Sequence, residues 1–144
     1  MLAIICWAVL ILLPRGEILK TLVFYVGIGL LCLIYTVLFA VLLSGSADSG
    51  ALEGAGEAGY GSIEQVRAIF LSDGGVVVGW THYLAFDLFA GLWIARDADA
   101  KGFSRWLQAP ILLITFLAGP IGLLIWLFLR EPAARRDARA RRKA

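Results

Sequence analysis

The chain has 144 residues, of which 60% are hydrophobic and 17% are charged, and its formal net charge is +2. An average soluble domain has about 45–50% apolar residues and roughly 25% charged ones. This composition excludes intrinsic disorder and argues against an ordinary soluble domain.

The charges are strongly segregated along the chain. Four stretches contain only one charged residue, Asp87, and these stretches are residues 1–13, 21–43, 75–95 and 107–129. Because a charge at the centre of a bilayer costs at least about 2.5–3.5 kcal/mol, the pattern indicates an integral membrane protein. We predict an all-α bundle in a single domain, residues 1–130, with four transmembrane helices, or three and one shorter helix.

The first stretch, residues 1–13, is shorter than a normal span. Thirteen helical residues reach only about 20 Å, against a hydrocarbon core of about 30 Å. Three interpretations stay open: a short tilted span, a half-helix, or a chain whose start lies upstream. A signal peptide is not favoured, because no basic region precedes the apolar run. Pro14 and Gly16 then predict a tight turn into the second helix.

The segments between and after these stretches are polar. Residues 44–61 contain six glycines, three acids and no base, which predicts a flexible, solvated loop. Ser62 and Gln65 fit a capping box, and we predict a short interfacial helix over residues 62–72. The chain ends in a basic segment, residues 131–144, which we expect to be a disordered tail.

The composition of the chain also predicts where the protein is located and what it contacts. The Ala- and Arg-rich sequence favours a bacterial inner membrane, with the basic tail cytoplasmic by the positive-inside rule, although the inverse orientation stays open. The lipid bilayer is the expected partner, and a basic tail alone does not indicate nucleic-acid binding. Small residues four apart permit close helix contacts, as in a homo-oligomer or small membrane complex; they are Gly75 with Gly79, and Ala118 with Gly122.

The third stretch contains the only histidine, His82, and the only acid within the apolar stretches, Asp87. An ionisable residue at this depth indicates a functional site. Burial favours the neutral acid, so Asp87 is a candidate general acid and His82 a candidate base. Five residues separate them by about 7.5 Å of rise and about 140°, so they could flank a substrate group but not bond directly. Alternatively, Asp87 is structural and bonds Tyr83 and Thr115, and His82 only packs.

A pocket beside Asp87 is also predicted. Pro120 should kink the fourth helix and open a space opposite Asp87. An aromatic stripe on the third helix either lines a groove for a long, flat apolar ligand or faces core or lipid. With one histidine and no cysteine pair, we expect no metal and no cofactor. The candidate substrate-binding residues are Trp80, Phe86, Phe89, Trp93, Thr115 and Pro120.

The run WTHYLAFDLFAGLWIARDADAKG, followed by P-x-L-L-x-T-F-x-x-G-P-x-G-L-L, resembles the ABA4-like family of small membrane proteins. Residues 13–20 also resemble that family's first interhelical turn. Its best-known plant member is implicated in neoxanthin formation, in which a carotenoid epoxide end group becomes an allene with a hydroxyl.

The resemblance implies an isomerisation that needs an acid at the epoxide oxygen and a base for a carbon-bound proton. His82 and Asp87 fall on the family's matching positions, and Tyr83, one helical turn from Asp87, is a third candidate catalytic residue. The implied ligand is a carotenoid or a similar polyene. The alternative function is a non-catalytic membrane subunit that binds pigment or a partner protein.

Overall fold

The computed structural model describes residues 1–14, 16–46 and 59–141, with side chains as far as Arg135. The fold is all-α, as predicted. Its elements are α1 (Leu2–Leu12), α2 (Glu17–Leu22), a π-helical segment (Val23–Ile28), α3 (Gly29–Leu43), α4 (Ile63–Ile69), α5 (Asp73–Ala100), α6 (Arg105–Leu117) and α7 (Gly119–Arg141).

Within the described residues, two helices are long and apolar enough to cross a membrane, rather than the four predicted. They are Glu17–Leu43, which joins α2, the π-helical segment and α3, and Asp73–Ala100. The helices Leu2–Leu12 and Arg105–Leu117 are apolar but shorter. The first is short because Pro14 follows it, and the second because the fourth apolar stretch is divided at Ala118.

Helix α5 is longer than the predicted stretch 75–95. Ser72 starts it, because its hydroxyl accepts a hydrogen bond from the Gly75 amide at 2.9 Å. The helix continues through the charged residues to its end at Ala100, and Gly102 follows it with a φ of +69°. The Phe103 and Gly102 amides bond back to the Ala98 and Asp99 carbonyls, which is a Schellman motif.

The described residues cover only part of the two predicted polar segments, 44–61 and 131–144. Residues 47–58 of the predicted loop 44–61 lie outside the described residues, as do Arg15 and residues 142–144. The segment from 131 onward was predicted to be disordered, but α7 continues through it to Arg141. Alanine and arginine favour helix, and the Arg135–Glu131 ion pair, 2.8 Å across one turn, supports it.

The chain divides into two compact units, and the first comprises Met1–Ile28 with Phe86–Ala144. In its core the Trp7 ring lies 5.5 Å from the Phe116 ring. Gly91 has no Cβ, so the Trp7 indole lies directly against α5. Apolar residues three or four apart supply the rest of this core, including Ala3, Cys6, Leu10, Leu88, Leu92, Ala95, Ile111 and Leu112.

The second unit, Gly29–Ala85, contains α3, α4 and the first half of α5. Its α4 is the short helix expected from the capping box: the Ser62 hydroxyl accepts from the Gln65 amide at 3.3 Å, and the Gln65 side chain accepts from the Gly61 amide at 2.9 Å. Helix α3 buries only Leu31, so nearly its whole apolar surface is open.

Candidate functional site

The site begins where the fourth apolar stretch breaks into two helices. Helix α6 ends at Leu117, and Ala118 leaves the helical conformation with φ −154° and ψ 78°. Pro120 has no N–H to continue the hydrogen bonds of α6, but it fits the first turn of a new helix. The Ile121 and Gly122 amides both donate to the Ala118 carbonyl, which starts α7.

The buried carboxylate of Asp87 lies against this new helix start. A Cβ added to Gly119 would overlap the Asp87 carboxylate, so only glycine allows the acid to approach α7 this closely. The side chain is 9% exposed. The first turn of a helix carries a partial positive charge, which favours an acidic group at this position.

A groove of about 530 Å³ opens beside Asp87, between one face of α5 and one face of α7. On α5 the wall residues recur every three or four positions, and on α7 the same spacing continues from Pro120. Its walls are almost entirely apolar, with Asp87 as the acid. The groove is lined by Phe86, Asp87, Phe89, Ala90, Trp93, Gly119, Pro120, Leu123 and Leu127.

Five of the predicted candidate residues line this groove: Phe86, Asp87, Phe89, Trp93 and Pro120. The other lining residues were not among the predicted candidates. Leu123 and Leu127 could have been found, because they follow Pro120 at helical spacing. Ala90 and Gly119 carry no such signal, since each matters only for the space that it leaves open.

Thr115 was predicted to contact substrate, but it is fully buried and is not among the lining residues. Its hydroxyl donates to the Ile111 carbonyl at 2.8 Å, the usual local bond of a helical threonine. Gly122 lies against it, because a Cβ there would overlap the Thr115 backbone and hydroxyl. Thr115 therefore helps α6 and α7 to pack closely.

The remaining candidates, Trp80, His82 and Tyr83, belong to the second unit. The His82 ring lies 5.5 Å from the Tyr35 ring, and the Trp80 ring lies 5.9 Å from the Tyr83 ring. Trp80 is 62% exposed. The catalytic roles of His82 and Tyr83, and the substrate contact of Trp80, stay predictions.

A cluster of charged residues lies about one helical turn beyond two residues of the groove wall, Trp93 on α5 and Leu127 on α7. Asp97 accepts two hydrogen bonds from Arg130, at 2.7 and 3.1 Å, and one from Lys101 at 2.6 Å. The Trp126 indole N–H adds a fourth at 3.0 Å. The Arg130 guanidinium carbon lies 5.3 Å from the centre of the Trp93 ring. The cluster thus joins the groove wall to the charged ends of α5 and α7.

A second, more polar pocket of about 510 Å³ lies elsewhere in the first unit, lined by Glu17, Lys20, Arg96, Asp99 and Ala100. The buried Lys20 ammonium bridges Asp99 at 2.9 Å and Glu17 at 3.1 Å. Gln108 also donates to Asp99 at 3.1 Å. These contacts tie α2, α5 and α6 together, which is a structural role.

The comparisons with known proteins agree with the resemblance seen in the sequence. A sequence profile of the ABA4-like family, described as ABA DEFICIENT 4-like, matches residues 1–126. Searches of curated proteins and of solved structures give no match. The matched residues include Asp87, the helix break at Ala118 and most of the groove. On this match, the chain belongs to the ABA4-like family.

Proposed function

We propose that this chain is an integral membrane protein that binds a carotenoid or similar polyene in the groove between α5 and α7. In this proposal it isomerises an oxygenated end group of that ligand, with Asp87 as the general acid. The observation that carries the proposal is a single buried acid in an otherwise apolar, aromatic-lined groove. Family membership supports the ligand class, through the resemblance to the plant protein.

Membrane insertion is supported by the exposed apolar surface. The most apolar window of Glu17–Leu43 is only 17% buried within the protein. Large contiguous apolar surfaces are rare on soluble monomers, because water disfavours them. Lipid chains would cover the aliphatic residues that α3 leaves open, which include Leu30, Leu33, Ile34, Val37, Val41 and Leu43.

The groove suits a ligand that arrives from the bilayer. Two of its wall residues, Phe86 and Phe89, are 60% and 47% exposed, so the groove opens to the side. A lipid-soluble polyene could enter laterally without crossing water. Aromatic walls would stack on its conjugated chain, and Asp87 would be the group that meets an oxygen on it.

The proposed reaction needs no redox partner. Asp87, in its protonated form, would donate its proton to the epoxide oxygen as the C–O bond opens. Loss of a carbon-bound proton to a base then forms the allene, and the oxygen becomes a hydroxyl. The atoms of substrate and product are the same, so the step is an isomerisation. His82 is our candidate for the base, and its part stays a prediction.

For orientation, we propose that the basic end of the chain lies in the cytoplasm of a bacterial cell. Residues 130–144 contain seven bases and two acids, and cytoplasmic segments are enriched in Lys and Arg. A reporter enzyme that is active only in the cytoplasm, fused after Ala144, would test this. Activity supports the orientation, and activity of a periplasm-specific reporter instead would reverse it.

The function is tested by expressing the chain in a host that makes epoxy-carotenoids and separating the pigments by chromatography. We expect a new isomer of unchanged mass, and we expect Asp87→Asn to reduce its yield at least a hundredfold, as loss of a general acid does. Asp73→Asn is the matched control, because Asp73 is an exposed acid at the start of the same helix and outside the groove.

Three outcomes decide the test. If Asp87→Asn keeps full activity while the protein is folded, the general-acid role is wrong. If pigment co-purifies with the protein in mild detergent but is not converted, the chain is a pigment-binding subunit. If neither conversion nor bound pigment is found, the polyene proposal itself is wrong.

A further inference from the structure

We propose that Arg130 is a positioning residue: it fixes the Trp93 indole in the groove wall, so that a rigid conjugated ligand meets a preformed surface. The inference rests on the proposed function, since it concerns the same groove. It goes beyond the family match, because Arg130 lies outside residues 1–126.

Two hydrogen bonds to Asp97 hold the Arg130 side chain in place. Its Nε donates to Asp97 Oδ2 at 2.7 Å and its Nη2 donates to Oδ1 at 3.1 Å. Two parallel bonds between a planar guanidinium and a carboxylate fix the orientation of both groups. Arg130 is therefore not a mobile surface side chain; 25% of it is exposed.

The orientation of the Asp97 carboxylate is fixed by two further hydrogen bonds. Lys101 donates to its Oδ1 at 2.6 Å, and the Trp126 indole donates to its Oδ2 at 3.0 Å. Trp126 is fully buried, with the Phe103 ring 5.0 Å away and nearly perpendicular. Four donated bonds therefore anchor the Asp97 carboxylate, and the carboxylate anchors Arg130.

The charged cluster contacts the groove wall through the Trp93 ring. The Arg130 guanidinium carbon is 5.3 Å from the centre of the Trp93 ring, within the range of a cation–π contact. Trp93 and Leu127, which is one turn before Arg130, both line the groove. A ligand in the groove would contact the Trp93 ring from one side, and the fixed guanidinium of Arg130 covers the ring on another.

A purely structural role would not require this arrangement. Burying an ion pair rarely adds stability over apolar packing, and α7 already has an ordinary surface pair in Glu131–Arg135. Fixing the ring before binding reduces the entropy lost when a rigid ligand docks. A saturated chain of similar length, which can adapt its own shape, gains less from a fixed wall.

The test measures binding of all-trans-retinol, a conjugated polyene, to the full chain in lipid nanodiscs by saturable quenching of tryptophan fluorescence. A double-mutant cycle uses Arg130→Met, Trp93→Leu and the double variant. We expect each single change to weaken binding about tenfold, and the double change to weaken it no further. Arg130→Lys, which keeps a cation near the ring, should recover part of the loss.

The controls separate positioning from folding. Arg135→Met removes the surface pair on the same helix and should leave retinol affinity unchanged. Octadecanol, used as a saturated competitor, should lose less than threefold in affinity with Arg130→Met. Thermal unfolding of each variant shows whether it is folded at the binding temperature.

The outcomes distinguish this inference from the proposed function. If the parent chain binds retinol and Asp87→Asn weakens binding, but the Arg130 and Trp93 losses simply add to about a hundredfold, the positioning role is wrong. An equal loss for retinol and octadecanol would also overturn it. If the parent chain shows no saturable retinol binding, this inference is wrong, and conversion of the host's carotenoids by the parent chain still decides the proposed function.

Discussion

Two of the aspartates on helix α5, Asp87 and Asp97, lie ten residues apart and have very different surroundings. Asp97 accepts hydrogen bonds from three side chains, two of them cationic. Asp87 lies in an apolar groove against the backbone of Gly119. The residue type and the helix are the same, but α7 places Arg130 and Trp126 beside Asp97 and its first turn, at Gly119, beside Asp87.

On the proposed function, this difference makes Asp97 a structural acid and Asp87 a chemical one. The cations beside Asp97 stabilise its ionised form and make it a fixed anchor. Asp87 instead lies in the groove that the proposed ligand would occupy, where it could donate a proton to that ligand. Asp97 should therefore matter mainly for the stability and shape of the first unit, and Asp87 mainly for activity. Substitutions of the two aspartates and of their neighbours test this division, beginning with the largest expected effect.

The largest effect on stability is expected for Asp97→Ala. It leaves Arg130 and Lys101 without their shared carboxylate and removes the acceptor of the Trp126 indole. Breaking a buried pair by removing one partner costs about 3–5 kcal/mol, and partial exposure of Arg130 places the cost at the lower end. The free energy of unfolding in mild detergent measures it.

Asp87→Ala is the comparison for that experiment. We expect it to lower the unfolding free energy by less than Asp97→Ala does, because it leaves neither Arg130 nor Lys101 without its carboxylate. A loss for Asp87→Ala as large as that for Asp97→Ala would contradict the division of roles.

Helical periodicity predicted much of the groove on α5. Phe86, Phe89 and Trp93 share a face with Asp87, and the sequence shows this directly. Pro120 also marked the interruption of the fourth stretch. These features are local, since each depends on residues within two turns of one helix.

What the sequence did not predict depends on contacts between distant segments. Asp97 and Arg130 are 33 residues apart, so no local pattern pairs them. Gly119 could not be distinguished from other glycines until Asp87 was seen beside it. The burial of Thr115 away from the groove lining could not be read from its polarity, because it depends on how α6 and α7 pack.

An intermediate effect is expected for Gly119→Ala. The added methyl would overlap the Asp87 carboxylate, so α7 or the acid must move, and such overpacking costs about 1–3 kcal/mol. We also expect pigment conversion to fall, because the acid leaves its position in the groove. Unfolding free energy and product yield measure the two effects.

Combining Gly119→Ala with Asp87→Ala tests whether the cost of the added methyl comes from its overlap with the acid. In the Asp87→Ala background the clash is removed, so Gly119→Ala should cost less than about 1 kcal/mol there. An equal cost in both backgrounds would mean that Gly119 is needed for the backbone at the helix break rather than for the acid.

The smallest effect is expected at the exposed pair on α7. Glu131→Gln removes the negative charge that pairs with Arg135 at i,i+4, where the two charged groups are 2.8 Å apart. Exposed pairs of this kind contribute about 0.3–0.5 kcal/mol, and salt screens them further. The change should therefore lower the unfolding free energy only slightly at low salt and not measurably at about 1 M salt, where charges are screened within about 3 Å. A loss above about 1 kcal/mol would show that the end of α7 is coupled to the Asp97 cluster, because an isolated surface pair cannot contribute that much.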